Sequence, residues 1–395
     1  METLEQLIST NCKNFEQFFQ SPPALVAYAP GRINIIGEHT DYNQGLAMPC
    51  AINRWVTVSI SPRTDDQVHV VSIDFDGKMI FSLNSIYEPK TLWEQYIYGC
   101  ITLFMQMHSI PSGFNAMISG NVPIGAGVSS SAALEVAFVN ALNEFFKVEL
   151  NGLEIIKLCQ QVEHQYLHVK SGLLDQYASQ FSKKDKVLML DFHSLSHTYI
   201  NAETTGYVWV LCDSNIKRTL AGSKYSERVQ ETQAALKNLH EQISDITEFK
   251  DIELEHLSLL KDIVQQKRMR HYLSENYRVK AVAEALKNHD FILFGKLLTA
   301  SHISLREDYE VSCKELDYLV ELALDTDYCL GSRMMGGGFG GCTINLVKEE
   351  YVKEFCNKIQ EGYYRKFNIE GIINIYETVN GAGTYPVHKN VQYHA

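Results

Sequence analysis

The sequence predicts an α+β fold divided into two parts. Apolar residues alternate at strand spacing between positions 25 and 73 and again near 114, 187 and 208, whereas from position 134 they recur at the three- and four-residue spacing of helices. A second observation is the Leu-, Glu- and Lys-rich helical sequence over 226–325, which is followed by a strand and a βαβ-like remainder. A chain of 395 residues holds about two domains. The polar connector Asp-Ser-Asn-Ile-Lys-Arg-Thr-Leu-Ala-Gly-Ser-Lys-Tyr over 213–225 sets the boundary, giving an N-terminal domain of residues 1–215 and a C-terminal domain of residues 216–395.

Each element has its own signal. A short amphipathic helix ends at the turn Ser21-Pro22-Pro23. A strand over 25–29 runs into Pro30-Gly31, and a second apolar piece carries Ile33, Ile35 and Ile36. Alternation at Val56, Val58 and Ile60, then at Val68, Val70 and Ile73, predicts a meander with one buried face. A helix bearing Trp93, Tyr96, Ile97 and Cys100 follows, and a strand over 114–118 feeds a glycine turn. Leu134, Phe138, Ala141, Leu142 and Phe145 form one helical stripe, and Ile155, Leu158, Cys159, Val162 and Tyr166 form the next. Strands over 187–190 and 208–211 are expected to pair. On the helical stretch beyond 226, Arg268, Arg270, His271 and Arg278 read as a solvated face.

Composition excludes several function classes. Hydrophobic residues at 45% and charged residues at 21% describe an ordinary globular chain rather than a disordered or collagen-like one. A net charge of −12 with no Lys/Arg run argues against nucleic acid or an anionic membrane as the main partner. The nine cysteines contain no Cys-x-x-Cys pair, which suits free thiols in a reducing compartment. With no signal-like N-terminus and no apolar run near ~18 residues, a cytoplasmic location is expected.

Four stretches carry candidate chemistry. Pro123-Ile-Gly-Ala-Gly-Val-Ser-Ser-Ser-Ala-Ala-Leu134 joins a flexible glycine turn to a helix start, where free N–H groups and the positive dipole end can bind an anion. Ala126 and Gly127 stand where a Walker A loop needs Lys and Ser/Thr, so the stretch is either a different phosphate cradle or a serine-capped core helix. The polar loop with Glu38, His39, Thr40, Asp41 and Asn43 offers donors and acceptors in several directions, as a polyhydroxylated ligand requires; a solvated turn is the alternative. Metal binding ranks low there, because His39 lacks a second His or Cys at useful spacing. Glu163, on the edge of an apolar stripe, needs either a salt-bridge partner or a Mg²⁺ ion brought by a nucleotide. Asp175, between apolar residues after Gly172, either caps the next helix or accepts a substrate proton. Finally, Gly336 to Gly341 fit G-x-G-x-x-G, but a strand follows where a dinucleotide-binding turn would open a helix, which rules out the nicotinamide reading.

Taken in order, the segments 31–49, 123–133 and 336–341 resemble the GHMP sugar and metabolite kinases. Gly31-Arg-Ile-Asn-Ile-Ile-Gly-Glu-His-Thr-Asp-Tyr-Asn-Gln-Gly45 resembles the galactokinase signature within that family nearly throughout, and the likeness continues through 93–99, 172–176, 217–225 and 270–276. The resemblance implies a two-lobed fold, with a mixed sheet plus helices in each lobe and the active site in the cleft between them. It implies ATP-dependent phosphorylation of D-galactose at the anomeric C1 hydroxyl. Residue by residue, Glu38, His39 and Asp41 would bind sugar hydroxyls, helped by the Gly172 backbone and the Tyr225 phenol. Gly125, Ala126, Gly127, Val128, Ser129, Ser130 and Ser131 would wrap the ATP phosphates, with Ser131 and Glu163 holding Mg²⁺. Asp175 matches the catalytic aspartate and Arg32 the arginine that pairs with it, and Ser72 is a candidate nucleotide contact. Kinases for N-acetylgalactosamine or arabinose share these motifs, as do non-catalytic sugar and ATP sensors. Those regulators alter the Ser-Ala step that Ser131-Ala132 keeps here, which favours an enzyme. A monomer binding only a small sugar and ATP is expected.

Overall fold

The computed structural model describes residues 2–216 and 221–387, so positions 217–220 of the connector, within one of the resembling segments, lie outside the described residues. Helix α1 (Leu4–Phe19) opens the chain and is closed at its N-terminus by a capping box between Thr3 and Gln6. Strands β1 (Leu25–Asn34), β2 (Leu46–Ala47), β3 (Pro49–Pro62), β4 (Gln67–Ser72) and β5 (Gly77–Ser82) follow. Then come helix α2 (Leu92–Met107), strand β6 (Phe114–Gly120), and helices α3 (Ser130–Phe146), α4 (Gly152–Gln165) and α5 (Leu174–Phe181).

Strands β7 (Lys186–Asp191), β8 (Ser196–Asn201) and β9 (Tyr207–Asp213) lead to helices α6 (Ala221–Gln242), α7 (Ile263–Lys287), α8 (Phe291–Glu307) and α9 (Lys314–Leu324). Strands β10 (Cys329–Met335) and β11 (Cys342–Lys348), helix α10 (Val352–Phe367) and strands β12 (Ile372–Tyr376) and β13 (Gly383–Pro386) close the chain. Among the described residues no helix is long and apolar enough to cross a membrane.

The first lobe is a six-stranded sheet in the order β13-β1-β3-β6-β4-β5. Its face toward α2 and α3 holds the main core, including Val58, Ile60, Phe114, Phe138 and Leu142. The other face is not solvated. Helix α1 lies on β3 and β6 there, and its buried Asn11 donates to Thr57 Oγ1 at 2.9 Å and Ser119 Oγ at 2.7 Å. The second lobe is a four-stranded sheet in the order β10-β11-β9-β12, covered by α8, α9 and α10, with α7 packed on α8 and α6 on α7.

Strand order differs from the expected meander, because β6 inserts between β3 and β4 and pairs parallel with β4. The 187–190 and 208–211 segments do not pair with each other either: β7 joins β2 and β8, while β9 lies between β11 and β12. Local alternation identifies a strand but not its neighbour, which distant pairing decides. Strand β9 belongs to the second sheet, and the tail returns to the first lobe, where Thr378 bridges Ile52 and β13 extends the sheet beside β1.

The supposed solvated face of α7 is mostly interior. Arg268, His271 and Arg278 are buried, and only Arg270 reaches solvent. Arg268 pairs with Glu231 at 2.6 Å and Glu310 at 2.9 Å, and Arg278 pairs with Glu275 at 2.7 Å. Carboxylates on α6, on α7 itself and after α8 supply the partners that make burying these cations tolerable.

Candidate active site

A cleft of about 860 Å³ lies between the lobes, and the glycine turn between β6 and α3 forms one wall. Gly125 and Gly127 take positive φ values of 80° and 75°, which place the backbone where a side chain would strain it. Ser129 occupies the N-cap position of α3 with φ 60° and makes no side-chain cap bond, so the expected serine cap is absent. Its hydroxyl is engaged elsewhere: it donates to Asp175 Oδ2 at 2.5 Å.

Three successive carbonyls of the turn are also held by the protein. Ala126 O accepts from Cys342 Sγ at 3.2 Å, Gly127 O from Arg32 Nη1 at 2.7 Å and Val128 O from the Arg32 amide at 3.0 Å. A Cβ on Gly31 would stand 2.7 Å from Val128 O, so this strand can approach the turn only with glycine there. With its carbonyls tied back and its N-cap open, α3 presents a first turn of N–H groups that have no intrahelical partner, and Ser129, Ser130 and Ser131 line the cleft.

Asp175 sits in the first turn of α5, whose N-cap residue Leu173 makes no side-chain cap bond. Its carboxylate does not cap the helix. One oxygen, Oδ1, accepts from Arg32 Nε at 2.8 Å and Nη2 at 2.6 Å, while Oδ2 takes the Ser129 hydroxyl. The group is a third exposed and faces the cleft.

Glu163, near the end of α4, accepts a hydrogen bond from the Ser171 hydroxyl. Burial pushes its carboxyl up to about 7, and the charge of Asp175 adds to that while the Ser171 bond opposes it. A carboxyl made this costly to ionise, lining the same cleft as Ser131, suits a hard divalent cation. Among the described residues no group of three or more His, Cys, Asp and Glu could hold a metal, so such an ion would need phosphate oxygens as further ligands.

The opposite wall is the 38–41 loop. Glu38 Oε1 accepts from Arg333 Nη2 and from the Gly336 amide, both at 2.7 Å, and is nearly buried. His39 is pinned through Nδ1 to the Tyr42 hydroxyl at 2.8 Å, which in turn meets the Tyr309 hydroxyl at 2.9 Å. Burial lowers the His39 pKa to about 3, helped by His271 and the nearby arginines, so the ring is neutral. Asp41 lies against Gly172 so closely that a Cβ there would come within 1.7 Å of its Oδ2. Burial raises its pKa to about 7, with Asp175 next in importance. Tyr225 on α6 completes this wall, its ring centroid 5.6 Å from that of His39.

Comparison with known proteins bears on the same segments. The galactokinase galactose-binding signature matches residues 13–62, and the N- and C-terminal domains of the GHMP kinases match residues 95–183 and 282–365. The galactokinase of Clostridium acetobutylicum is 41% identical over 377 residues, covering 94% of this chain and 97% of its own length. That of Fusobacterium nucleatum is 38% identical over 389 residues, covering 96% and 99%. The chain belongs to the galactokinases. A Lactococcus lactis galactokinase crystallised with galactose superposes with a TM-score of 0.91 at 34% identity, over 95% of this chain and 99% of that one. The mevalonate kinase of Methanococcus jannaschii, at 21% identity and a TM-score of 0.65, shares the fold.

In this galactokinase-family chain the cleft brings together Arg32, Glu38, His39, Asp41, Glu163, Gly172, Asp175 and Tyr225, with Gly125, Ala126, Gly127 and Ser129 to Ser131. Two site residues expected from sequence fall outside its lining. Val128 is buried behind the turn, and Ser72 ends β4 with its hydroxyl buried and unpartnered. Val71 packs with Phe15 and Met117 on one face of the sheet, so strand alternation puts Ser72 on the opposite face, where Val68 and Val70 lie in the main core. Sequence reasoning missed Arg333, whose position inside an apolar strand between Ser332 and Met334 was the available signal. It also missed Asp213, Ile216 and Asn374, which line the cleft from the second lobe.

Proposed function

We propose that the chain transfers the γ-phosphoryl group of ATP to the anomeric C1 hydroxyl of D-galactose, giving galactose 1-phosphate and ADP. The observation that carries this reading is the placement of Asp175: both carboxylate oxygens are fixed, by Arg32 and by Ser129, at the point where the open helix end and the Glu38–Asp41 wall meet. Phosphoryl transfer needs alignment and charge neutralisation more than covalent chemistry. Asp41, His39 and the free oxygen of Glu38 accept and donate to sugar hydroxyls, turning one of them toward Asp175. Asp175 orients that hydroxyl and receives its proton as the oxygen attacks. Arg32, already bonded to Asp175 and to the phosphate turn, offers positive charge between them, and the first-turn N–H groups of α3 hold the polyphosphate. Mg²⁺ held by Ser131 and Glu163 would neutralise charge on the transferring phosphate.

Measuring ADP release over a panel of sugars tests the reading, with Asp175→Asn losing about a thousandfold in kcat. Phosphorus NMR of the product should place phosphate on C1. Preference for N-acetylgalactosamine or arabinose would move the acceptor, whereas binding of galactose and ATP without ADP would make the protein a sensor. Nine thiols, none in a disulfide among the described residues, support a reducing, cytoplasmic setting, and sizing in solution should give a monomer.

A further inference from the structure

His39 stands at the end of a chain of hydrogen bonds that starts at an amide and passes through the second lobe. Asn43 is buried, and its Nδ2 lies 3.1 Å from the His39 carbonyl and 3.4 Å from the Tyr309 hydroxyl. An amide oxygen turned to that place would oppose the carbonyl, so the nitrogen is fixed there as a donor to both. Tyr309, wholly buried between α8 and α9, has one further hydroxyl partner among the described residues, the Tyr42 oxygen at 2.9 Å. Asn43 Oδ1 accepts no hydrogen bond, so Tyr42 is the acceptor left for the Tyr309 proton. Tyr42 then gives its own proton to the next atom of the chain, His39 Nδ1 at 2.8 Å. The opposite direction would leave the Tyr309 O–H buried without an acceptor, the costlier arrangement.

The ring that ends the chain is neutral on structural grounds. His39 is 5% exposed, its Nδ1 meets a phenol and its Nε2 has no partner, so neither nitrogen has a carboxylate to stabilise a cation. A neutral ring that accepts at Nδ1 carries its hydrogen on Nε2. His39 lines the cleft, and this N–H is the donor that the protein itself leaves unused. We infer that Tyr309 and Tyr42 are positioning residues that set the His39 tautomer, so that Nε2–H serves only as a donor to a sugar hydroxyl. The hydroxyl that accepts from it keeps its own proton for a carboxylate of the same wall, Asp41 or Glu38, and is held in one orientation. A phenol of the second lobe thus orders the protons on a loop of the first. The inference rests on the reading of His39 as a sugar ligand, so His39→Leu serves as the reference variant.

Histidine-selective ¹⁵N NMR of the full-length protein reads the tautomer directly, the His39 signals being those that vanish in His39→Leu. In the parent, Nε2 should carry the proton and Nδ1 should be bare. Tyr309→Phe and Tyr42→Phe should each turn this into a mixture of tautomers and raise the galactose KM about five- to tenfold, with kcat within about threefold and the ATP KM unchanged. A purely structural role would lower the melting temperature and leave the tautomer as in the parent. A proton on Nδ1 in the parent overturns the direction of the chain, and that spectrum is read whether or not the Phe variants fold. An unchanged tautomer, or an unchanged galactose KM, in both Phe variants overturns the positioning role alone. Unchanged galactose KM in His39→Leu overturns the sugar reading of His39 and the proposal with it.

Discussion

The two walls of the cleft are built in opposite ways. The wall proposed to face the phosphates is made of backbone: a glycine turn with its carbonyls tied back and a helix end left uncapped. The wall proposed to face the sugar is made of buried ionisable side chains held from a distance. Glu38 depends on Arg333 of β10, the Gly37 amide on Glu275 of α7 at 3.0 Å, and the Glu38 carbonyl on His271 at 3.1 Å. Helix-end dipoles are fixed once the helix forms, so the phosphate wall needs little support. Buried charges need partners, so the sugar wall is stable only while the second lobe stays docked on it.

This contrast predicts that the walls fail differently. Arg333→Met has the largest expected effect on folding. Arg333 is wholly buried and donates to Glu38, Asn34 O and Ile35 O, so its loss strands a carboxylate and two carbonyls. Removing one partner of a buried ion pair costs about 3–5 kcal/mol, which denaturant unfolding should register directly. Galactose KM should rise while ATP KM stays within about twofold, since the phosphate turn shares no partner with Arg333. A matching rise in ATP KM would show that the walls are coupled rather than separate.

The same contrast explains what the sequence could reveal. The phosphate wall was legible because its parts are local: two glycines, three serines and the helical stripe that begins at Leu134 stand within one stretch of chain. The donors of the sugar wall were legible as a cluster, but their partners were not. Arg268, His271 and Arg278 are polar residues on a long helix, and nothing within that helix says that carboxylates on α6 and after α8 will bury them. Strand order failed for the same reason: insertion of β6 between β3 and β4 and the return of β13 to β1 are settled by contacts far apart in sequence. Asp175 is an intermediate case. Its isolation among apolar residues flagged it, but only the distances to Arg32 and Ser129 removed the capping alternative.

Ser131→Pro sharpens the comparison from the other side. Ser131 is in the first turn of α3, where a proline removes no intrahelical hydrogen bond, so the helix should form as before. What disappears is one N–H and one hydroxyl facing the cleft. ATP affinity measured by calorimetry should fall about a hundredfold, equivalent to roughly 3 kcal/mol for two bonds to charged oxygens. Galactose affinity and the melting temperature should stay close to the parent values. Unchanged ATP affinity would mean that the open helix end is not the cradle.

The smallest effect tests whether the sugar wall is strained when nothing is bound to it. Burial holds the Asp41 pKa at about 7 in the folded protein, against the ordinary 3.8 of an aspartate, so between about pH 4 and 7 the folded state keeps a proton that the unfolded chain has released. With more protons bound in the folded state, stability falls as pH rises through that window, then levels off above about 7. Each pKa unit corresponds to about 1.4 kcal/mol, but the group borders an open cleft, so a loss on the order of 1–3 kcal/mol is expected. Asp41→Asn carries no titrating group. It should match the parent at pH 4, exceed its stability by that amount at pH 8, and bind galactose less well, because an amide cannot replace an ionised acceptor. Parallel stability curves for the two proteins between pH 4 and 8 would show that Asp41 ionises freely and that the sugar wall stores no such cost.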